Sequence, residues 1–407
     1  MMMPKQRIGV KMGCNPAPAR RREQEETFMQ LTRRAALVGT TIAAATPLRF
    51  ARAADDTMKI GGIVPLTGAG AEAGQYMRNG AAMALEEINA KGGVLGKKLE
   101  WVIEDDQTTN PGAVLAFSRL VSRGDCVAYT GSVRSTQVNA ISPDVEKAAK
   151  PVIIGGTDPA LTHAGNPWLF RTRPNDSYSS RVIADFGINT LKKKKWAIVY
   201  ATDAFGTGGM KALVESLKNL GVTPVLVQGA ADQTADFTPV VLAIKKAGPD
   251  ILSSYITYEN DVAILARQLR QLGVNIPWVG SASITSTPTL QLAGPALWGT
   301  YGVTDFNEKA SPQAHAFFTE YQKRYHMNPD NLSSWLYDGM HILANAMNTA
   351  KSTDAKKVRA TILAIKGYKG VEGTYNFDQN GDGLHGYNIV ENEKGKIVFK
   401  KRIDFKA

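Results

Sequence analysis

MKIGGIVPLTGAGAEAGQYMRNGAAMALEEINAKGGVLG, residues 58–96, contains one strand, one glycine-rich loop and one amphipathic helix in succession. Met58, Ile60, Ile63 and Val64 suit a buried strand, whereas Met77, Ala81, Ala84, Leu85 and Ile88 recur at helical spacing and form the face that packs on it. Lys91-Gly92-Gly93 ends the helix. A strand that hands over to a helix through an exposed loop is the repeating unit of an α/β protein, with the loop facing a ligand.

The alternation continues outward. Strands are expected at Leu99 to Ile103, Cys126 to Tyr129, Val152 to Ile154, Trp196 to Tyr200, Pro224 to Val227, Ile251 to Tyr255 and Trp278 to Gly280, with helices between them. The clearest helices are Ala204 to Leu220, with Leu213, Leu217 and Leu220 on one face, and Glu259 to Leu272, with Val262, Leu265, Leu269 and Leu272. Such alternation argues for parallel sheets with crossover helices. Arg171-Thr172-Arg173-Pro174-Asn175-Asp176 interrupts it, a hinge crossing after which a second α/β series begins.

At 407 residues the chain exceeds one compact core. Arg33-Arg34, an apolar small-residue run from Ala35 to Pro47, and Ala51-Arg52-Ala53 form a cleavable export signal over residues 1–53, with Ala54 as the expected first residue of the mature protein. The arginine pair is similar to a twin-arginine signal, ordinary Sec export being the rival, and Met29 is an alternative start. The net charge of +11 suggests nucleic acid only until this segment is removed. Residues 1–53 hold 10 of the 48 basic and 3 of the 37 acidic residues, which leaves 38 against 34 in the mature chain and no electrostatic case for nucleic acid. The basic run Lys192 to Lys195 abuts a strand and reads as its solvated entrance. Cys14 lies in the signal, so the mature chain keeps only Cys126, has no intramolecular disulfide, and relies on core packing. No apolar segment of the mature sequence approaches twenty residues.

Ligands of open α/β sheets bind beyond the carboxyl ends of the strands. Ser135 and Thr136 follow a strand and the Gly131 turn and open a helix from about Gln137 to Ala149, so their hydroxyls and the free N–H groups of that helix start can form an anion site. Plain N-capping is the other reading of the same two residues. Gly155, Gly156 and Thr157 follow the next strand and can approach the same point, glycine letting the backbone come close. Enzyme readings fare worse. The five histidines have no metal-ligand spacing, and no serine sits in a G-x-S-x-G elbow. Gly68-Ala69-Gly70-Ala71-Glu72-Ala73 imitates a dinucleotide fingerprint, but Pro65-Leu66-Thr67 intervenes after the strand and the next strand-end acid, Asp105, comes too late. Asp378-Gln379-Asn380-Gly381-Asp382-Gly383 opens like a calcium loop, yet Ile389 stands at its twelfth position and a simple turn is favoured. No catalytic residue, metal or cofactor is expected.

Pro65-Leu66-Thr67-Gly68, the Asn79-Gly80 to Gly93 run, Gly96 to Leu99 with Asp105-Asp106, Gly131 to Thr136, Pro151 to Thr157 and Asp203 to Gly206 together resemble the solute-binding proteins of branched-chain amino acid ABC importers. That resemblance implies a type I periplasmic binding protein: an α/β fold of two doubly wound parallel-sheet lobes joined by a three-crossing hinge. It implies residues 54–173 plus 305–372 in lobe 1 and 174–304 plus 373–407 in lobe 2. It also implies a periplasmic location, a small-molecule ligand with a carboxylate, and ABC permease subunits as partners. By the family's pattern Ser135, Thr136, Gly155, Gly156 and Thr157 grip the carboxylate. Arg134 beside them can add a bidentate contact or face solvent. Phe205 and Tyr258 match positions of rings over the ligand, Phe205 replacing the more usual tyrosine, and Ser281 flanks the site. Leucine-type binders place a glutamate for the ligand's ammonium where this chain has Ala282. A buried ammonium needs a charged partner. Either Asp203, Glu259 or Asp261 substitutes, or the ligand is an amine-free carboxylate, for example an aromatic acid. A ligand-sensing receptor subunit of the same fold is the rival role.

Overall fold

The computed structural model describes residues 57–406; the export signal, the expected mature start and Cys14 lie outside them. Strand β1 (Thr57–Val64) carries Ile60, Ile63 and Val64 with no exposed surface. It lies inside a five-stranded, wholly parallel sheet with β2 (Lys98–Asp105), β3 (Cys126–Thr130), β4 (Val152–Ile154) and β5 (Leu169–Arg171), in the order β2-β1-β3-β4-β5. Gly62 is glycine for a physical reason: a Cβ there would lie 2.1 Å from Nε1 of Trp101, whose indole crosses the strand to donate to Thr130 Oγ1 at 2.9 Å. Cys126 is buried in β3, and that burial pushes its thiol pKa up, as suits a packing residue.

The second sheet is built from β6 (Trp196–Ala201), β7 (Leu226–Ala230), β8 (Ile251–Tyr255), β9 (Trp278–Gly280) and β10 (Tyr301–Thr304). After a small antiparallel hairpin, β11 (Lys366–Lys369) and β12 (Thr374–Asn376), the chain adds β13 (Gly386–Glu393) and β14 (Lys396–Asp404) to it. The order is β14-β13-β10-β9-β8-β6-β7, with β10 to β7 parallel and the last two strands antiparallel. The expected strand Pro224 to Val227 sits slightly later in the chain, as β7, because an edge strand half open to solvent carries no continuous apolar run. Helix Ala71–Ala90 buries the expected Met77, Ala81, Ala84 and Ile88 and runs against helix Asn331–Ala350. The two approach closely at Gly80, where a Cβ would stand 2.1 Å from the carbonyl oxygen of Ser333.

The chain passes between the sheets three times: after β5, after β10, and before β13. The third passage comes later than expected. Tyr375, Phe377 and Leu384 share a buried cluster with Ile60, Met77 and Trp335 of the first lobe, so the segment just beyond Glu372 packs there. Buried ion pairs lace the three passages together. Arg171 Nε donates to Asp382 Oδ1 at 2.8 Å, both side chains fully buried, and Arg173 pairs with Asp305. Tyr387 Oη donates to the carbonyl of Pro174 at 2.7 Å. Burial pushes the Asp382 carboxyl up, but Arg171, His163 and Asn175 outweigh it and hold it well below the usual range. Among the described residues no helix is long and apolar enough to cross a membrane.

Candidate ligand-binding cleft

Strand β3 ends at Thr130 and helix Ser135–Ala148 begins five residues on, so its N-terminus points out from the carboxyl edge of the first sheet. Arg134 is the N-cap and makes no side-chain cap bond. The Ser135 and Thr136 hydroxyls are turned elsewhere, which sets plain N-capping aside. Ser135 Oγ accepts the backbone N–H of Thr157 and of Asp158, each at 3.1 Å, which leaves its own proton to donate. Thr157 Oγ1 donates to Asp176 Oδ2 at 2.7 Å. The two loops therefore meet, and the first turn of the helix leaves its backbone N–H groups without intrahelical partners.

The second lobe closes over this point. Thr136 Oγ1 donates to Asp203 Oδ2 and accepts from Ala204 N, both at 3.3 Å. Arg134, 8% exposed, reaches across so that Nη1 donates to the carbonyl of Thr257 at 2.9 Å and Nη2 lies 3.4 Å from Glu259 Oε2. Its guanidinium sits 4.3 Å over the ring of Tyr258. Farther along, Thr287 N donates to Asp330 Oδ2 at 2.8 Å. These contacts bring the lobes together around a cavity of about 60 Å³, room for a handful of waters.

Of the expected site residues, Arg134, Ser135, Thr157 and Phe205 line the cavity. Four other expected residues stand behind its wall. Gly155 and Gly156 direct their carbonyls to Arg173 and Arg171 at 3.0 and 3.2 Å. Tyr258 supports Arg134 from beneath, and Ser281 bonds Ser283, which does line the cavity, at 2.9 Å. Thr136 is engaged with the opposite lobe. The sequence reading missed Arg173, Asp176, Thr257, Ser286, Asn331, Leu332 and Tyr387 in the wall. Arg173, Asp176 and Tyr387 come from the hinge region and Asn331 and Leu332 from the start of helix Asn331–Ala350, while Thr257 and Ser286 lie in second-lobe loops just before helices Glu259–Gln271 and Thr287–Ala293.

Of the three acids that could serve in place of the family's glutamate, only Glu259 lines the cavity, and Arg134 already pairs with it. Asp203 is taken up by Thr257, Thr136 and Gly206, and Asp261 accepts from Gln233 N at 2.7 Å. Ala282 is in the wall, as an apolar surface. Asp176, fully buried beside the cavity, has its pKa pushed up to about 7 by desolvation, against the opposing hydrogen bonds of Thr157 and Ser179. Elsewhere, His163, Asp378 and Asp382 come within 4.8 Å of one another, but the oxygens of Asp382 are occupied by Arg171, Thr162 and Asn175. That cluster is a hinge brace.

The profile of the periplasmic binding protein family matches residues 57–396. A Leu/Ile/Val-binding protein homologue of Brucella melitensis is 27% identical over 365 residues, covering 88% of this chain and 98% of its own. The leucine binding protein LivK of Thermotoga maritima superimposes with a TM-score of 0.80 at 25% identity, over 85% of this chain and 99% of that one. The branched-chain amino acid transporter substrate binding protein LivJ of Streptococcus pneumoniae, solved in complex with isoleucine, gives 0.78 at 25% identity over 86% and 99%.

Proposed function

The chain belongs to the periplasmic binding protein family, and from that premise we propose that it captures a small carboxylate, an amino acid of the branched-chain type or a close relative, between its lobes. It delivers that ligand outside the cytoplasm to an ABC permease. One observation supports the reading: Ser135, whose hydroxyl accepts two backbone N–H groups and keeps its own proton to donate, opens a helix and lines a cavity to which both lobes contribute. A carboxylate placed there receives charge-assisted hydrogen bonds at the positive end of a 14-residue helix. Arg134 adds positive charge and spans both lobes, so ligand binding and closure favour one another. Periplasmic binding proteins are themselves a standard example of hinge closure around a ligand, so that motion comes to this chain with its family. Where the ligand has an α-ammonium, the acids in the cavity wall are Glu259, shared with Arg134, and Asp176.

A second reading, an amine-free carboxylate such as an aromatic acid, is favoured by the apolar Ala282 in the wall and by the pairing of Glu259 with Arg134. For the lobes themselves we assign residues 57–173 and 305–384 to the first and 174–304 and 385–406 to the second. A thermal-shift screen against amino acids and amine-free organic acids tests the function. A ligand that binds only the folded state raises the melting temperature. A rise with one of these carboxylates is expected, and no rise with any of them would overturn the reading.

A further inference from the structure

We propose that the Asn331 carboxamide is a ligand-binding group, and that the ligand accordingly carries a polar hydrogen-bonding function besides its carboxylate and any α-ammonium. This rests on the carboxylate reading above. Asn331 is the first residue of helix Asn331–Ala350, yet the helix has no use for its side chain. Asp330 caps it, Oδ1 accepting from Leu332 N at 2.9 Å, and Ser333 Oγ completes the capping box. Asn331 nevertheless lines the cavity and is only 4% exposed, and its side-chain Oδ1 is buried with no hydrogen-bond partner among the described residues.

A buried carboxamide oxygen without a donor is destabilising, and an aliphatic residue would fit the same position without that cost. The arrangement makes sense when the missing donor belongs to the occupant of the cavity. Ser283 and Ser286 face the same cavity from the second lobe, and Leu332 and Ala282 flank it with apolar surface. The chemistry that fits is a short body bearing one hydroxyl or amide. The bond from Thr287 N to Asp330 Oδ2, one residue away and across the cleft, means that this wall is assembled by closure. Asn331 therefore reads the ligand in the closed state, where a mismatch is felt as failure to stay shut.

Calorimetric titration of the full chain with near-isosteric pairs tests this: valine against threonine, leucine against asparagine, benzoate against 4-hydroxybenzoate. The polar member of the pair that fits is expected to bind at least about tenfold more tightly, the usual effect of one buried hydrogen bond. Asn331→Leu is expected to abolish that preference while leaving the melting temperature of the unliganded protein unchanged or raised. Pairs bound alike, a preference that survives Asn331→Leu, or a substitution that weakens both members equally because the α-ammonium was the donor, would each overturn the proposal alone. If no carboxylate of any pair binds, the parent reading falls and this one with it.

Discussion

Thr157 uses its backbone N–H on Ser135 and its hydroxyl on Asp176, so it joins the two loops proposed to cradle the carboxylate to a buried acid. Thr157→Ala is expected to weaken ligand binding by about tenfold through the lost hydroxyl, with little change in melting temperature. Calorimetry that returns an unchanged affinity would remove Thr157 from the site. Asp176 makes a separate prediction in pH. Its folded pKa, about 7, lies above the ordinary aspartate value of 3.8, because burial disfavours the charge. The neutral carboxyl's contribution to stability is full below about pH 4 and is lost as the pH rises through about 7. Asp176→Asn should flatten the fall in the midpoint of urea unfolding across that window, and an unaltered pH profile would contradict the assignment. At this scale Ser135 and Thr157 were legible as candidates because they follow strands in hydroxyl- and glycine-rich loops, Arg134 because it stands beside them, and Phe205 through family resemblance; all four line the cavity. Asp176 and Asn331 were illegible, since they reach the cavity wall through chain segments that meet only in three dimensions.

Helix Asn331–Ala350 reaches the cleft because helix Ala71–Ala90 lets it approach closely at Gly80. A methyl group there would overlap the Ser333 carbonyl, a backbone atom that no rotamer change can move. Gly80→Ala is expected to destabilise the fold by about 1–3 kcal/mol as an overpacking substitution and to loosen ligand binding as the Asn331 helix shifts. Chemical denaturation together with a ligand titration checks both effects, and an unaffected midpoint would show that the helices have room to adjust. Elements with a buried face were legible: β1, β3, β8 and the helix Glu259–Gln271 appear close to where periodicity placed them. The edge strand β7 was displaced, and β13 and β14 went unread. In the outer strand Lys396–Asp404 the apolar run is only Ile397-Val398-Phe399, and the charged Lys400-Lys401-Arg402 follow it at once, which masks the strand signal.

The two sheets act as one molecule through the hinge, where Arg171 with Asp382 and Arg173 with Asp305 lie out of water among three chain passages. Asp382→Asn leaves Arg171 buried without its counter-charge, and a loss of about 3–5 kcal/mol is expected from denaturation midpoints. A loss no larger than that of a surface substitution would show that the passages hold without it. Two lobes and a first crossing near Arg171 could be read from the break in alternation, and the return passages followed only from family resemblance. The third passage, placed after Glu372 by that resemblance, comes later because Tyr375, Phe377 and Leu384 pack into the first-lobe cluster. The proposed function rests on charge recognition between the lobes. The direct measurement is calorimetric titration with the best carboxylate from the screen and with its neutral carboxamide analogue. Binding of the acid and at least about a tenfold loss for the amide are predicted, as removal of a charge-assisted hydrogen bond requires. Equal affinity for the two would contradict the account.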